Sequence, residues 1–337
     1  MHGAGNATTI YPLTFEPVFR DYIWGGRRLE TLLGRPLPPG IVAESWDISG
    51  HPDSPTRVAT GHWKGRTLPE VMAALGADLV GSHSSEMLAR GRFPLLIKLL
   101  DANQDLSVQV HPDDAYAARH ERGEIGKSEM WYVLHADPGY TLVHGVKPGV
   151  TRRQLRQAIA SDRVDEVLSR VPVSPGDTID VPAGTVHALL AGAVVAEIQQ
   201  NSDVTYRLYD WARVGSDGKS RPLHIDRALD VIDFSRAATG PVPPQNLTET
   251  DALRRQLLVR RPQFTTERLI MAPGATFSGR CDGSTFEIWG CVEGACRVTW
   301  AGTPVDLAAV QFVLLPAALG AFAVSAEGPS ALLRIYI

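Results

Sequence analysis

The stretch Phe93-Pro94-Leu95-Leu96-Ile97-Lys98-Leu99-Leu100 decides the fold. Its apolar run is short, and the turn-forming Asp101–Asp105 closes it, so it reads as a buried strand with Lys98 as its one charge. A second strand, Leu106–His111, follows at once. Pro112-Asp113-Asp114 then leads into a brief helix over 115–122. Glu129–Leu134, Thr141–Gly145, Thr178–Val181 and Val194–Gln199 read as further strands. The interval 151–169 reads as a helix with Leu155, Ile159, Val164, Val167 and Leu168 on its apolar side. Helices therefore cover an antiparallel β body.

Upstream, Trp24-Gly25-Gly26 and the alternating Glu44, Trp46 and Ile48 are strand fragments, separated by the rigid Pro36, Pro38, Pro39 and Gly40. Short helices are expected from Arg66 through Leu75 and over 84–90. A polar, Pro-rich stretch, 235–249, precedes the last ninety or so residues. Short strands recur there at 267–269, 275–277, 285–291, 295–300, 310–315 and 321–325, with turn residues between them. That spacing fits a small barrel or jelly roll.

The 337 residues are 44% hydrophobic and 21% charged, which excludes wholesale disorder. A formal net charge of -4 lacks the broad positive field that a nucleic-acid backbone requires. No nucleic-acid partner is therefore expected, and apolar stretches such as 93–100 and 307–322 are too short or too turn-broken for a membrane span, so no membrane association is expected. Neither a dinucleotide-binding glycine pattern nor a P-loop is present. Cys281, Cys291 and Cys296 are too few for a disulfide scaffold and read as small buried residues. Met1–Thr9 has neither a basic leader nor an apolar core, so a soluble cytoplasmic protein is the expectation.

The chemistry gathers in four places. A strand puts Gln109 and His111 on one face, so an amide oxygen and an imidazole can enter one cavity. Glu129 opens the strand Glu129–Leu134, and His187 follows the tight turn Val181-Pro182-Ala183-Gly184-Thr185. Two nitrogens and two oxygens suit a borderline ion such as Zn2+, with Mn2+, Fe2+ and Co2+ left open by ligand type. Ordinary turn and core roles are the competing reading of the same residues.

Read together, the segments Leu106–Asp114, Gly126–Tyr132, Val181–Ala188 and Asn201–Trp211 resemble the short-form class I mannose-6-phosphate isomerases of the cupin superfamily. The resemblance runs from Trp24 through Phe234 and weakens beyond. It implies a mainly β, double cupin fold: two antiparallel β-barrel or jelly-roll lobes with short helical segments. Residues 1–238 would form the catalytic body and 239–337 a degenerate lobe. It further implies one Zn2+ per chain on Gln109, His111, Glu129 and His187. The implied activity is the reversible isomerisation of D-mannose 6-phosphate and D-fructose 6-phosphate (EC 5.3.1.8) through a cis-enediol-like intermediate. Leu189 departs from the pattern, since some relatives carry tyrosine there. A metal-dependent isomerase of another aldose, or a nonenzymatic carbohydrate-binding regulator, are the alternatives.

Within that frame Lys98, Ser107, Lys127 and Arg207 are the substrate-binding candidates, and Arg207, Lys127 and Glu197 the catalytic ones. Arg207 offers a fork for phosphate or for enediolate charge, and it stays protonated, so it is no general base. Glu197 is the proton-transfer candidate, on the argument that a carboxylate facing an apolar cavity has a raised pKa. Each also has a plain structural reading, as strand-edge charge, loop ion pair, backbone cap or buried salt bridge. His144 reads as a satisfied structural histidine. Asn201, Ser202 and Asp203 read as turn residues that orient Arg207, with Asp210-Trp211 as outer wall.

Overall fold

A computed structural model of the chain describes residues 10–214, 218–236 and 239–337. Met1–Thr9 and residue 238, where the expected division falls, lie outside the described residues. The chain packs as two compact units that do not follow chain order. One comprises Phe19–Ser45 and Leu95–Pro243; the other comprises 10–18, Trp46–Pro94 and Pro244–Ile337. The early segments join the C-terminal strands through backbone bonds: Leu13 N donates to Leu314 O at 2.8 Å, and Ala317 N to Leu79 O at 3.0 Å.

In the first unit the decisive stretch is strand β1, Leu95–Ala102, buried along its whole length. It is followed by β2 (Val108–Val110), β3 (Glu129–Ala136), β4 (Thr141–Val146), β5 (Leu168–Pro172), β6 (Thr178–Val181), β7 (His187–Ala188), β8 (Ala193–Gln200) and β9 (Tyr206–Tyr209). β6, β3, β8 and β1 lie side by side in that order, and β9, β2, β7, β4 and β5 form the second sheet. The pairings are antiparallel. Leu100, Trp131, Ile179 and Val195 from one sheet share a core with Val108, Val110, Leu142 and Leu208 from the other. Strands buried on both faces read as near-continuous apolar runs, which is why β1 and β8 were legible in the sequence.

The expected helix over 151–169 is shorter. It spans Arg152–Ala160, opened by a capping box in which Thr151 and Gln154 exchange bonds. Arg163 N turns back to Ala158 O, and Asp162 takes a left-handed φ of 57°, which ends the helix. Leu168 belongs to β5 instead. Apolar spacing alone did not show this break.

The second unit continues the antiparallel pattern with β10 (Gln245–Glu249), β11 (Leu253–Arg260), β12 (Thr265–Met271), β13 (Thr276–Cys281), β14 (Glu287–Glu293), β15 (Ala295–Thr299), β16 (Val305–Ala308), β17 (Gln311–Leu315), β18 (Gly320–Ala326) and β19 (Ser330–Tyr336). Their orders are β10-β11-β12-β19-β14-β17 and β13-β18-β15-β16. Trp289, Leu315, Phe322 and Leu332 fill the core between them.

The two units repeat one register. In the first, Glu197 stands between Trp131 and Lys98, and Gln199 faces Glu129. In the second, Arg334 stands between Trp289 and Glu267, and Tyr336 faces Glu287. Val181 pairs with Glu129 before Pro182-Ala183, as Leu315 pairs with Glu287 before Pro316-Ala317. The central charges have opposite sign in the two copies.

Candidate active site and metal centre

Short β2 sends Val108 and Val110 into the core, so Gln109 faces the other way and His111 follows it on the same side. β7 sets His187 directly opposite Gln109. The preceding turn needs Gly184, whose φ is 84° and where a Cβ would stand 2.9 Å from Val231 O. Its amide also donates to His111 O at 2.9 Å, tying the two ligand segments together. Glu129 enters from the first residue of β3.

Side-chain atoms of His111, Glu129 and His187 lie within 4.8 Å of one another, and all three residues are buried. His187 Nε2 is 3.3 Å from Glu129 Oε1, and His111 Nε2 is 3.6 Å from Oε2. His111 Nδ1 lies 2.8 Å from Val204 O and His187 Nδ1 2.8 Å from Thr185 O. Each Nδ1–H donates to a carbonyl, so each Nε2 presents its lone pair toward Glu129. Gln109 Nε2 is 3.3 Å from His187 Nε2, and a half-turn of the amide brings its oxygen to the same place.

Burial, then the Lys127 charge, pushes His111 well below the usual imidazole range; burial pushes His187 down to about 3. Both rings are therefore neutral. Burial and the nearby Glu197 push Glu129 up to about 7. Neutral imidazoles held by carbonyls, with a carboxylate sealed from solvent, fit a divalent cation of borderline softness. Lys127 Nζ, 2.9 Å from Glu129 Oε2 and 3.3 Å from His111 Nε2, sits against this group.

Beside it opens a cavity of about 310 Å3, lined in part by Tyr22, Trp24, Glu44, Lys98, Ser107, Gln109, Lys127, Glu197, Asp203, Thr205, Arg207 and Arg221. Every substrate and catalytic candidate from the sequence therefore lines it. Burial opposes the charge on Lys98, but Glu44 (3.6 Å), Glu197 (3.5 Å) and Asp203 (3.9 Å) together raise its pKa. Glu197 takes a 2.9 Å bond from Trp131 Nε1. Its pKa does not follow the expected direction: burial works upward, but Lys127 and Lys98 outweigh it and hold the carboxyl below the usual range. The raised carboxylate is Glu129 instead.

Arg207 sits on β9 opposite Gln109; its Nε donates to Ser107 Oγ at 3.3 Å and its Nη1 to Pro222 O at 3.0 Å. Asp203, read as a turn residue, faces the cavity, whereas Ser202 accepts locally from Val204 N at 3.4 Å and donates to the distant Ile125 O at 2.9 Å. Trp211 holds the wall as expected, Nε1 to Leu106 O at 2.7 Å. His144 Nε2 bonds to Asp180 O at 3.0 Å. Sequence reasoning missed the roles of Glu44 and Arg221. The alternation Glu44-Trp46-Ile48 placed the first on a strand, but only the pairing of distant strands brings it to Lys98; no local signal marks the second.

An antiparallel β-barrel that presents two imidazoles, a carboxylate and an amide to one buried point defines the cupin class of metal-site proteins. The family model described as phosphomannose isomerase type I, catalytic domain, matches residues 13–140. A Bacillus subtilis (strain 168) protein named "Probable mannose-6-phosphate isomerase GmuF" is 35% identical over 314 residues, 93% of this chain and 96% of that protein. The crystal structure of the mannose 6-phosphate isomerase from Bacillus subtilis superimposes with a TM-score of 0.85 at 32% identity, covering 97% of this chain and 99% of that one. A zinc-bound mannose 6-phosphate isomerase structure shares the fold, with a TM-score of 0.75 at 18% identity over 96% and 99% of the two chains. The chain belongs to the class I mannose-6-phosphate isomerase family.

Proposed function

We propose that this chain interconverts D-mannose 6-phosphate and D-fructose 6-phosphate, with one Zn2+ held by His111, Glu129, His187 and the Gln109 amide oxygen. The observation that carries the reading is a single cavity lined by Gln109, Lys127, the ionised Glu197 and the Arg207 guanidinium, with His111, Glu129 and His187 clustered in the buried layer against Gln109 and Lys127. Aldose–ketose isomerisation needs those three functions: an electrophile for the carbonyl end, a base for the proton between C1 and C2, and a cation for phosphate or enediolate oxygens. Zn2+ supplies Lewis-acid polarisation of substrate oxygens when bound.

Glu197 takes the proton from one carbon as a carboxylate and returns it to the other as a carboxylic acid. Lys98 and Lys127 stabilise its ionised form, and Trp131 fixes its orientation. With Lys98 ringed by carboxylates and Lys127 paired to Glu129, Arg207 with Ser107 is left to meet the phosphate. Every cavity-lining residue, from Tyr22 to Arg221, belongs to the unit made of Phe19–Ser45 and Leu95–Pro243, which supports that unit as the catalytic body. No described helix is long and apolar enough to cross a membrane, and the cysteines are free and buried. Free thiols accord with a reducing cytoplasm.

Metal analysis beside a coupled assay tests this. Purified wild type should carry one equivalent of zinc and turn over mannose 6-phosphate. His111→Ala and His187→Ala should lose both while remaining folded. Full metal retention in both folded variants would reject the ligand set.

A further inference from the structure

The cavity has a charge axis. At one end, Lys98 is outnumbered by Glu44, Glu197 and Asp203. At the other, Arg207 and Arg221 line the same wall, and the nearest carboxylate is divided. Asp210 Oδ1 takes Arg221 Nη2 at 2.6 Å and Arg213 Nη2 at 2.8 Å, and Oδ2 takes Arg221 Nε at 2.8 Å. Two guanidiniums thus share Asp210 while Arg207 spends its Nε and Nη1 on a hydroxyl and a carbonyl, both neutral. Positive charge is left over where Arg207 and Arg221 line the cavity.

Arg221 is also held deliberately. Asp210 is 5% exposed, and its fork onto Arg221 fixes the plane of that guanidinium while leaving Nη1 outside the pair. The backbone after Asp210 is forced through two consecutive left-handed residues, Trp211 (φ 57°) and Ala212 (φ 51°). Such conformations are costly for residues with a side chain and persist only where the surroundings impose them. Here Trp211 is anchored on Leu106 O, next to Ser107, and Pro222 O is anchored by Arg207. Arg207 thus holds the residue next to Arg221, and both guanidiniums line the cavity.

We infer that Arg221 is the second phosphate-binding guanidinium of this site and sets its preference for phosphorylated over free sugar. A dianion meets Arg207, Arg221 and the Ser107 hydroxyl at one end. The uncharged polyol chain is thereby directed toward Glu197 and the His111–Glu129–His187 group at the other. The inference rests on the isomerase reading for the sugar, though not for the anion.

Calorimetric titration of the zinc-loaded enzyme with inorganic phosphate tests it without turnover. Arg221→Met should weaken phosphate binding by about 10- to 100-fold, the range of a charge-assisted bond. Its KM for mannose 6-phosphate should rise in step, with kcat and zinc content close to wild type. Arg221→Lys, which keeps the charge without the fork, should fall between. Phosphate affinity unchanged in either folded variant would overturn the inference, as would a fall in kcat or zinc content with phosphate affinity preserved. If both variants fail to fold, Arg221 is a structural clamp and the inference is likewise overturned. A wild type that binds phosphate through Arg221 yet turns over no mannose 6-phosphate would uphold this inference and sink the isomerase reading alone.

Discussion

Glu197 is fully enclosed between two ammonium groups and an indole N–H, and those contacts decide its protonation. Burial alone would raise its pKa, but Lys127 and Lys98 bring the net shift below 4.5. Its ionisation therefore adds stability above the ordinary carboxylate pKa, and that contribution is lost as pH falls through the lower folded value. The same sign governs activity. The acid limb of kcat that belongs to this base should lie below pH 4.5 in zinc-saturated enzyme, and a limb near pH 6 that vanished with Glu197 removed would contradict the assignment. Glu197→Gln keeps the Trp131 bond but cannot take a proton. It should lower kcat by about 100- to 10,000-fold while zinc content stays at wild-type level; near-normal kcat would remove Glu197 from proton transfer.

At the scale of elements, the strands carrying the metal group were legible because each is local: a two-residue period for Gln109 and His111, a strand start for Glu129, a glycine turn for His187. What was not legible depends on pairing. Glu44 meets Lys98 only because two strands 54 positions apart converge, and Arg221 lines the cavity held by Asp210, eleven positions before it in sequence. Trp24-Gly25-Gly26 belongs here as well. A Cβ on Gly25 would stand 2.4 Å from Ala43 Cα, and one on Gly26 would stand 2.9 Å from Asp101 Oδ2. Both glycines let this segment press against its neighbours and hold Trp24 on the cavity wall. Gly25→Ala should cost about 1–3 kcal/mol in chemical denaturation, the usual range for overpacking, and should raise KM. An unchanged midpoint would show that the contact is loose.

For the whole molecule, the repeated register is the broadest finding. Where the first unit sets Lys98 beside Glu197, the second sets Glu267 beside Arg334. Arg334 bonds Glu287 at 2.5 and 2.8 Å and approaches Glu267 at 3.4 Å; Arg255 neutralises Glu267, and the Tyr336 hydroxyl donates to it. The second unit thus supplies its own cation to its buried carboxylates. Arg334→Met should destabilise the protein by about 3–5 kcal/mol, since it takes the paired cation from buried Glu287 while Glu267 keeps Arg255; a loss below about 1 kcal/mol would mean that water reaches Glu287. The duplication was hidden from sequence because it lies in strand register and not in matching motifs, apart from the paired Glu-x-Trp and Pro-Ala steps.

The central claim, that one cavity combines metal, base and phosphate recognition for a single sugar phosphate, is met most directly by a coupled assay of the zinc-reconstituted wild type. The substrates are mannose 6-phosphate, glucose 6-phosphate and the two free sugars. The account predicts conversion of mannose 6-phosphate to fructose 6-phosphate, abolished by chelation and restored by Zn2+, with the free sugars turned over far more slowly. No turnover of mannose 6-phosphate by zinc-loaded, folded enzyme, or a preference for a free sugar, would contradict it.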